Sequence, residues 1–239
     1  MSDNQQNNLN EEQFNQIQKQ IQFHLTSNPY EYLDLTPNVR LKFAIHQNVT
    51  RPMSSKGMAK WLWYNNDLFA NKKVLDIGTG CGIQGIICKL GGAKSVKCTD
   101  IIPNAIDCTK ENIKNILPKN DNTEAILSDL FEALTDSEKY DLIIFAQPYF
   151  SGKPNENHNC TIGMQNTTEI QERFFSRVKD FLNTNGKILM MSWNFAGKEN
   201  SPTQISKQYN LNIEKIEQYH DWQGVQQGKF DIILFDDKQ

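Results

Sequence analysis

Three aspartates lie at the ends of three short strand-like segments, and a turn rich in glycine follows the first of them. Asp76 precedes Gly78, Gly80 and Gly82, which occupy alternate positions. Glycine adopts positive φ at little cost, and its missing side chain lets a ligand approach the main chain closely. A carboxylate beside such a turn suits a ligand that carries a cationic group.

The other two aspartates offer hydrogen-bond acceptors to a nucleoside. Asp100 ends the second segment, where a carboxylate can accept hydrogen bonds from both hydroxyls of a ribose. Ile101 follows it and is predicted to pack on one face of an adenine ring. Asp129 follows the third segment and can accept from an adenine amino group, while the main chain of Leu130 serves the ring nitrogens. Each aspartate alone is equally well explained as a helix cap or loop carboxylate, so the interpretation depends on all three together.

A parallel sheet is the element that brings these aspartates to one place. Strands are predicted at residues 73–77, 95–99, 123–127, 140–145 and 186–192, and helices at 83–90, 103–117 and 168–182. Strands that alternate with helices form a mostly parallel sheet, and ligands bind outside the carboxyl ends of its strands. Two further strands at 211–219 and 229–235 have no clear helix between them, which predicts an antiparallel pair at the edge of this single α/β domain.

A dinucleotide-binding turn is the rival explanation for the glycines. Residues 80–85 spell G-x-G-x-x-G, and Asp100 lies twenty positions beyond Gly80. In that fingerprint, however, the strand runs almost into the first glycine, whereas here Asp76 and Gly78 intervene. A carboxylate at Asp76 would also oppose a pyrophosphate at the start of the following helix. A sulfonium that bears an amino acid tail tolerates the carboxylate much better than a nicotinamide dinucleotide does.

Residues 74–82 (VLDIGTGCG), with Asp100, Asp129 and the tripeptide QPY at 147–149, resemble the class I S-adenosylmethionine-dependent methyltransferases. Within that superfamily the chain is most similar to the branch that holds the HemK-type glutamine methyltransferases and several adenine or guanine methyltransferases. The resemblance covers residues 53–235 and implies a Rossmann-like, seven-stranded sheet with an antiparallel C-terminal strand and helices on both faces. It also implies S-adenosylmethionine as cofactor, bound by Asp76, Gly78, Thr79, Gly80, Gly82, Asp100, Ile101, Asp129 and Leu130.

The segment after the fourth strand departs from the pattern of that branch. There the strand ends in Asn-Pro-Pro-Tyr, whose Asn side chain and a main-chain carbonyl orient a planar nitrogen while the aromatic ring stacks on the acceptor. Here Pro148 and Tyr149 match, but Ala146 replaces the Asn. Three explanations are open. Gln147 supplies the amide oxygen in place of the Asn, the methyl acceptor needs no such contact, or the domain catalyses no reaction. Gln147, Pro148 and Tyr149 are the candidate catalytic residues, and residues 151–165 suit a lid over the substrate.

Three function classes follow from these observations. The leading hypothesis is methyl transfer to a nitrogen of a small molecule, a protein side chain or a nucleobase. The net charge of −3 weakly disfavours long nucleic acids. The second hypothesis is a non-catalytic subunit of methyltransferase fold, which binds a protein partner through an N-terminal helix. The third is a nicotinamide-dependent oxidoreductase.

Composition and the N-terminal segment complete the expectations. The five cysteines form no C-x-x-C pair and lie near no histidine at a zinc-ligand spacing, so no metal is expected. The N-terminus does not resemble a signal peptide, no apolar run reaches the length of a membrane helix, and a cytoplasmic or nuclear location is expected. Residues 1–9 are predicted to be a disordered tail and 10–70 a helical extension with an apolar stripe along residues 10–25. Residues 71–239 form the predicted methyltransferase-like domain, and Arg51 is a candidate contact for a ligand carboxylate.

Overall fold

The structure of the chain is a computed structural model. It describes residues 28–52, 55–119, 121–148, 167–193, 200–220 and 229–237. The predicted helix at 10–25, Tyr149 and the predicted lid at 151–165 lie outside these ranges. Within them, no helix has the length and apolar character needed to cross a membrane.

The described part of the chain begins with an antiparallel hairpin. Strand β1 (Tyr30–Thr36) pairs with β2 (Val39–Ala44), and β1 buries Leu33 and Leu35 while its intervening side chains face outward. The expected helical extension over 10–70 is therefore wrong for residues 30–44, and among the described residues of that range the helical elements are α1 (Ser55–Tyr64) and a short 3-10 turn. The missed signal is an alternation of period two on each side of a Pro-Asn turn.

Seven strands form the central sheet, and its predicted mixed character is confirmed. The strands are β3 (Lys73–Ile77), β4 (Ser95–Asp100), β5 (Thr123–Leu127), β6 (Tyr140–Phe145), β7 (Leu182–Trp193), β8 (Leu211–His220) and β9 (Lys229–Asp237). Their order across the sheet is β5-β4-β3-β6-β7-β9-β8. Strands β3 to β7 pair in parallel, whereas β9 is antiparallel to both β7 and β8. The order reverses direction at β3, so the ligand crevice of such a fold lies at the carboxyl ends of β3, β4 and β6.

Two hydrophobic layers cover the sheet, one on each face. The hairpin, α1, α2 (Ile83–Leu90) and α3 (Pro103–Ile116) pack on one face, and α4 (Thr167–Val178) with the short α5 (Pro202–Ile205) packs on the other. Strand β6 shows why its residues are almost all apolar. Leu142 and Ile144 belong to the first layer, while Ile143 and Phe145 belong to the second. A strand that is buried on both faces needs apolar residues at successive positions.

Candidate functional site

The turn between β3 and α2 takes a shape that requires glycine. Gly78, Gly80 and Gly82 have φ of 64°, 60° and 83°. A side chain at Gly82 would place its Cβ 2.9 Å from Cγ2 of Thr109, so this glycine is required by close packing as well as by φ. A Cβ at Gly80 would meet nothing within 4 Å. The main chain at Gly80 therefore borders open space, where a ligand can approach it.

Asp76 lies beneath this turn and stabilises it. Its Oδ2 accepts a hydrogen bond from the Thr79 hydroxyl at 2.6 Å and another from the Gly85 amide at 3.1 Å. The side chain is buried, and burial is the largest influence on its pKa. Burial raises the pKa of Asp76 to about 7, although the two hydrogen bonds lower it. The hydrogen bonds that the structure describes for Asp76 are with the turn and the first turn of α2, and the contact with a cationic ligand stays a prediction.

Asp100 joins the glycine turn to the start of α3. Its Oδ2 accepts from the Gly80 amide at 2.9 Å, and its Oδ1 accepts from the Ile102 amide at 3.0 Å. Burial raises the pKa of Asp100 above its ordinary value, against the lowering effect of the hydrogen bonds from Ile102 and Gly80. Ile101 is 53% exposed beside this carboxylate. The contact of this exposed apolar side chain with an adenine ring stays a prediction.

Asp129 begins the turn that follows β5. Leu130 has a φ of 48°, and the Ser128 hydroxyl donates to the Leu130 carbonyl and accepts from the Ala133 amide, both at 3.0 Å. Asp129 Oδ2 accepts from Nη2 of Arg173 in α4 at 2.8 Å. Sequence reasoning did not single out Arg173, because no local pattern connects a helix residue with a carboxylate 44 positions earlier.

Main-chain hydrogen bonds bring the three strand ends together. The Thr79 amide donates to the Thr99 carbonyl at 3.0 Å, and the Ser128 amide donates to the Asp100 carbonyl at 2.9 Å. Together with the bond from the Gly80 amide to Asp100, these contacts connect the ends of β3, β4 and β5 in a single row. Asp76, Asp100 and Asp129 therefore lie along one edge of the sheet, as the predicted parallel strands require.

The segment after β6 contains a buried amide oxygen that has no hydrogen-bond partner among the residues the structure describes. Gln147 is 2% exposed, and among the described residues nothing forms a hydrogen bond with its Oε1. A buried acceptor that is left unpaired costs about 1–3 kcal/mol, which a donor from a bound molecule would remove. Ala146 and Pro148 on either side are half-buried. Tyr149 lies outside the described residues.

Two polar residues of α3, which sequence reasoning missed, hold the underside of the glycine turn. The Thr109 hydroxyl donates to the Gly80 carbonyl at 3.0 Å. Asn112 donates from Nδ2 to the carbonyls of Cys81 and Ala44, both at 2.9 Å, and accepts from the Ala44 amide at 2.7 Å. Both side chains are fully buried. Polar residues on the apolar face of the predicted helix 103–117 were the available signal.

Arg51 contacts a carboxylate of the protein itself. Its guanidinium donates to Glu31 of β1, and Nζ of Lys56 donates to the second oxygen of the same carboxylate at 2.9 Å. Burial raises the pKa of Glu31, but the two cations outweigh this effect and hold the pKa below its ordinary value. The cation that was predicted to meet a ligand carboxylate therefore joins the hairpin to the segment before α1.

Comparisons with known proteins agree with this geometry. The sequence model of a family described as methyltransferase small domain matches residues 58–233. The chain is 29% identical over 170 residues to a putative protein N5-glutamine methyltransferase of Methanocaldococcus jannaschii, which covers 69% of this chain and 82% of that protein. It is 30% identical over 142 residues to methyltransferase HEMK2 of Homo sapiens, which covers 56% of this chain and 63% of that protein. The solved structure of a putative methyltransferase complexed with SAH aligns with a TM-score of 0.63 and 12% sequence identity, and the alignment covers 87% of this chain and 56% of that one. At this identity the similarity is one of fold.

Proposed function

We propose that this chain methylates the side-chain amide nitrogen of glutamine in a protein. The chain belongs to the methyltransferase small domain family and to the class I S-adenosylmethionine-dependent methyltransferases. The observation that carries the proposal is the buried amide oxygen of Gln147, two residues after β6, for which the described part of the chain provides no hydrogen-bond partner. It follows the strand next to the glycine turn, on the same edge of the sheet. The relative from M. jannaschii, which this chain matches over most of its length, supports glutamine as the acceptor.

The residues at the strand ends fit S-adenosylmethionine. A carboxylate has about four acceptor sites, so Asp100 can accept from the ribose hydroxyls in addition to its two main-chain donors. The hydrogen bonds from Thr79 and Gly85 both end on Oδ2 of Asp76, which leaves Oδ1 for the ammonium group of the amino acid tail. Ile101 and Leu130 offer apolar contacts to the adenine, and Asp129 accepts from its amino group. The main chain at Gly78, Thr79, Gly80 and Gly82 borders the tail.

The segment after β6 orients the acceptor. When bound, S-adenosylmethionine supplies an electrophilic methyl group on its sulfonium sulfur. An amide nitrogen is a poor nucleophile, so holding its lone pair in line with that methyl is the main contribution the protein can make. Gln147 Oε1 accepts one N–H of the acceptor amide, and a neighbouring main-chain carbonyl accepts the other. Pro148 has a fixed φ, which limits the movement of the segment.

A methylation assay with matched peptides tests this function. We expect the purified chain to transfer radiolabelled methyl from S-adenosylmethionine to a pool of synthetic peptides that contain glutamine. The same pool with every glutamine replaced by glutamate should remain unlabelled. Peptides that stay unlabelled while an adenine- or guanine-containing oligonucleotide is methylated would show that glutamine is the wrong acceptor.

Substitution of Gln147 tests the residue that carries the proposal. Gln147→Ala should lower the rate by about a hundredfold, since removal of one transition-state hydrogen bond costs about 3 kcal/mol, while the affinity for S-adenosylhomocysteine stays unchanged. Gln171→Ala is the control, because Gln171 in α4 is also buried and its Oε1 likewise has no partner within the described ranges, although its Nε2 donates to the Asn200 carbonyl at 2.7 Å. A Gln147→Ala protein with the rate of the Gln171→Ala protein would remove Gln147 from the mechanism.

A further inference from the structure

Helix α4 contacts the turn of residues 128–134 through two adjacent side chains. Arg173 donates from Nη2 to Asp129 Oδ2 at 2.8 Å and to Glu132 Oε1 at 3.3 Å. Next to it, the ring of Phe174 packs on Phe131 with centroids 5.5 Å apart. Phe131 also stacks on Phe181 at 4.7 Å, with the two rings nearly parallel. The apolar contacts fix where the turn lies, and the arginine fixes the carboxylate at its start.

The aromatic contacts, and not the ion pair, account for the stability of this junction. Phe131, Phe174 and Phe181 are buried, whereas the side chains of Arg173 and Asp129 are 41% and 30% exposed. Ion pairs with this exposure contribute little to folding, because water screens the charges and two side chains lose their freedom. A guanidinium that contributes little to folding still restricts the rotamer of the carboxylate it holds.

The orientation of Asp129 determines which of its two carboxylate oxygens faces a ligand. Arg173 holds Oδ2, so Oδ1 is the oxygen with more acceptor capacity left for the space in front of the turn. Leu130 has positive φ, a conformation that residues other than glycine rarely adopt, and it turns the main chain sharply directly after Asp129. The Asp129 side chain is 30% exposed, and the hydrogen bond from Arg173 restricts its rotamer.

We propose that Arg173 is a positioning residue for the adenine pocket, which holds Asp129 by Oδ2 so that Oδ1 accepts a hydrogen bond from the adenine 6-amino group. This inference rests on the proposed function, because it takes S-adenosylmethionine as the ligand. Helix α4 thereby contributes to the recognition of adenine. Arg173 itself touches neither the methyl group nor the acceptor.

A pair of ligands that differ only at position 6 of the purine tests the inference. S-adenosylhomocysteine carries the amino group there, whereas S-inosylhomocysteine carries an oxygen that repels a carboxylate. Calorimetry of the full chain should show that the wild type prefers the adenosyl ligand by at least about tenfold, the effect of one hydrogen bond to a charged group. Arg173→Ala should weaken the adenosyl ligand by about three- to tenfold and should not weaken the inosyl ligand, because the released carboxylate repels its 6-oxygen less. Arg173→Lys, which keeps the charge, should restore part of the preference.

Arg177→Ala is the matched control. Arg177 lies one turn further along α4 and forms exposed ion pairs with Asp180 and Asp136. It should leave both affinities at the wild-type values. Equal weakening of both ligands by Arg173→Ala, together with a lower melting temperature, would mean a purely structural role and would overturn the inference.

The remaining outcomes separate this inference from the proposed function. Wild-type protein that binds neither ligand would refute the proposed cofactor and the role of Arg173 with it. Wild-type affinities in Arg173→Ala, or equal affinities of the wild type for the two ligands, would refute the role of Arg173 alone. Should Arg173→Ala not fold, the ratio of the two affinities is measured in Arg173→Lys instead. A smaller preference for the adenosyl ligand than in the wild type supports the role of Arg173, and an unchanged preference refutes it.

Discussion

Asn112 of α3 connects the hairpin with the glycine turn, and its removal should destabilise both. The side chain is fully buried and forms three hydrogen bonds with main-chain groups. Two of these partners belong to Ala44 at the end of β2, 68 positions away, and the third is the carbonyl of Cys81 in the turn. Asn112→Ala removes all three without adding a charge.

The expected loss follows from what each partner retains. The Ala44 amide loses its acceptor, at a cost of about 1–3 kcal/mol for a buried donor. The Ala44 carbonyl still accepts from the Cys108 thiol at 3.1 Å, so its cost is small. Loss of the hydrogen bond to the Cys81 carbonyl costs about 1 kcal/mol of unfolding free energy. With a small cavity added, we expect the free energy of unfolding to fall by about 3–4 kcal/mol.

Urea denaturation followed by tryptophan fluorescence measures this loss. Asn104→Ala is the control on the same helix, because the Asn104 side chain is at the surface and donates one hydrogen bond, to the Gln47 carbonyl at 3.1 Å. It should cost no more than about 0.5 kcal/mol. If Asn112→Ala and Asn104→Ala have the same unfolding free energy, the reasoning from buried partners is wrong.

Two further predictions concern the aspartates. Asp100→Ala should weaken S-adenosylhomocysteine binding by about 1.5–3 kcal/mol, roughly ten- to hundredfold; calorimetry that finds wild-type affinity in the folded variant would remove Asp100 from the site. Asp76 has a pKa of about 7 in the folded chain, above the value of about 4 in an unfolded one. The folded state therefore holds the proton more tightly, so this group stabilises the protein at low pH and the contribution is lost as pH rises to 7. Between about pH 5 and pH 8 the wild type should lose about 2–3 kcal/mol relative to Asp76→Asn in urea titrations, and a difference that does not vary with pH would contradict this.

The sequence predicted the features that depend on local periodicity. Strand β6 could be read from its apolar run, and α3 from its spacing and from Pro103 in its first turn. Given parallel strands, the meeting of Asp76, Asp100 and Asp129 follows from topology alone, since successive carboxyl ends share an edge.

The features that were missed depend on contacts between distant segments. The hairpin of β1 and β2 is short, and the alternation that marks it is weak beside its exposed tyrosines. Nothing along the chain connects Asn112 with Ala44, or Arg173 with Asp129. The charge of Arg51 was recognised, but its partner Glu31 lies on an element that the sequence had not predicted. Such pairings appear only when the whole chain is folded.

The ion group of Glu31, Arg51 and Lys56 determines where this protein can be divided. The family match begins at residue 58 and the predicted boundary lies at 70, yet β1 carries the carboxylate that pairs with two buried cations farther along the chain. A shortened chain that starts after the hairpin would deprive Arg51 and Lys56 of the Glu31 carboxylate, and removing one partner of a buried ion pair typically costs several kcal/mol. A recombinant fragment intended to contain the catalytic core should therefore start upstream of Tyr30. The segment that matches the family is shorter than the segment that the protein needs for stable folding.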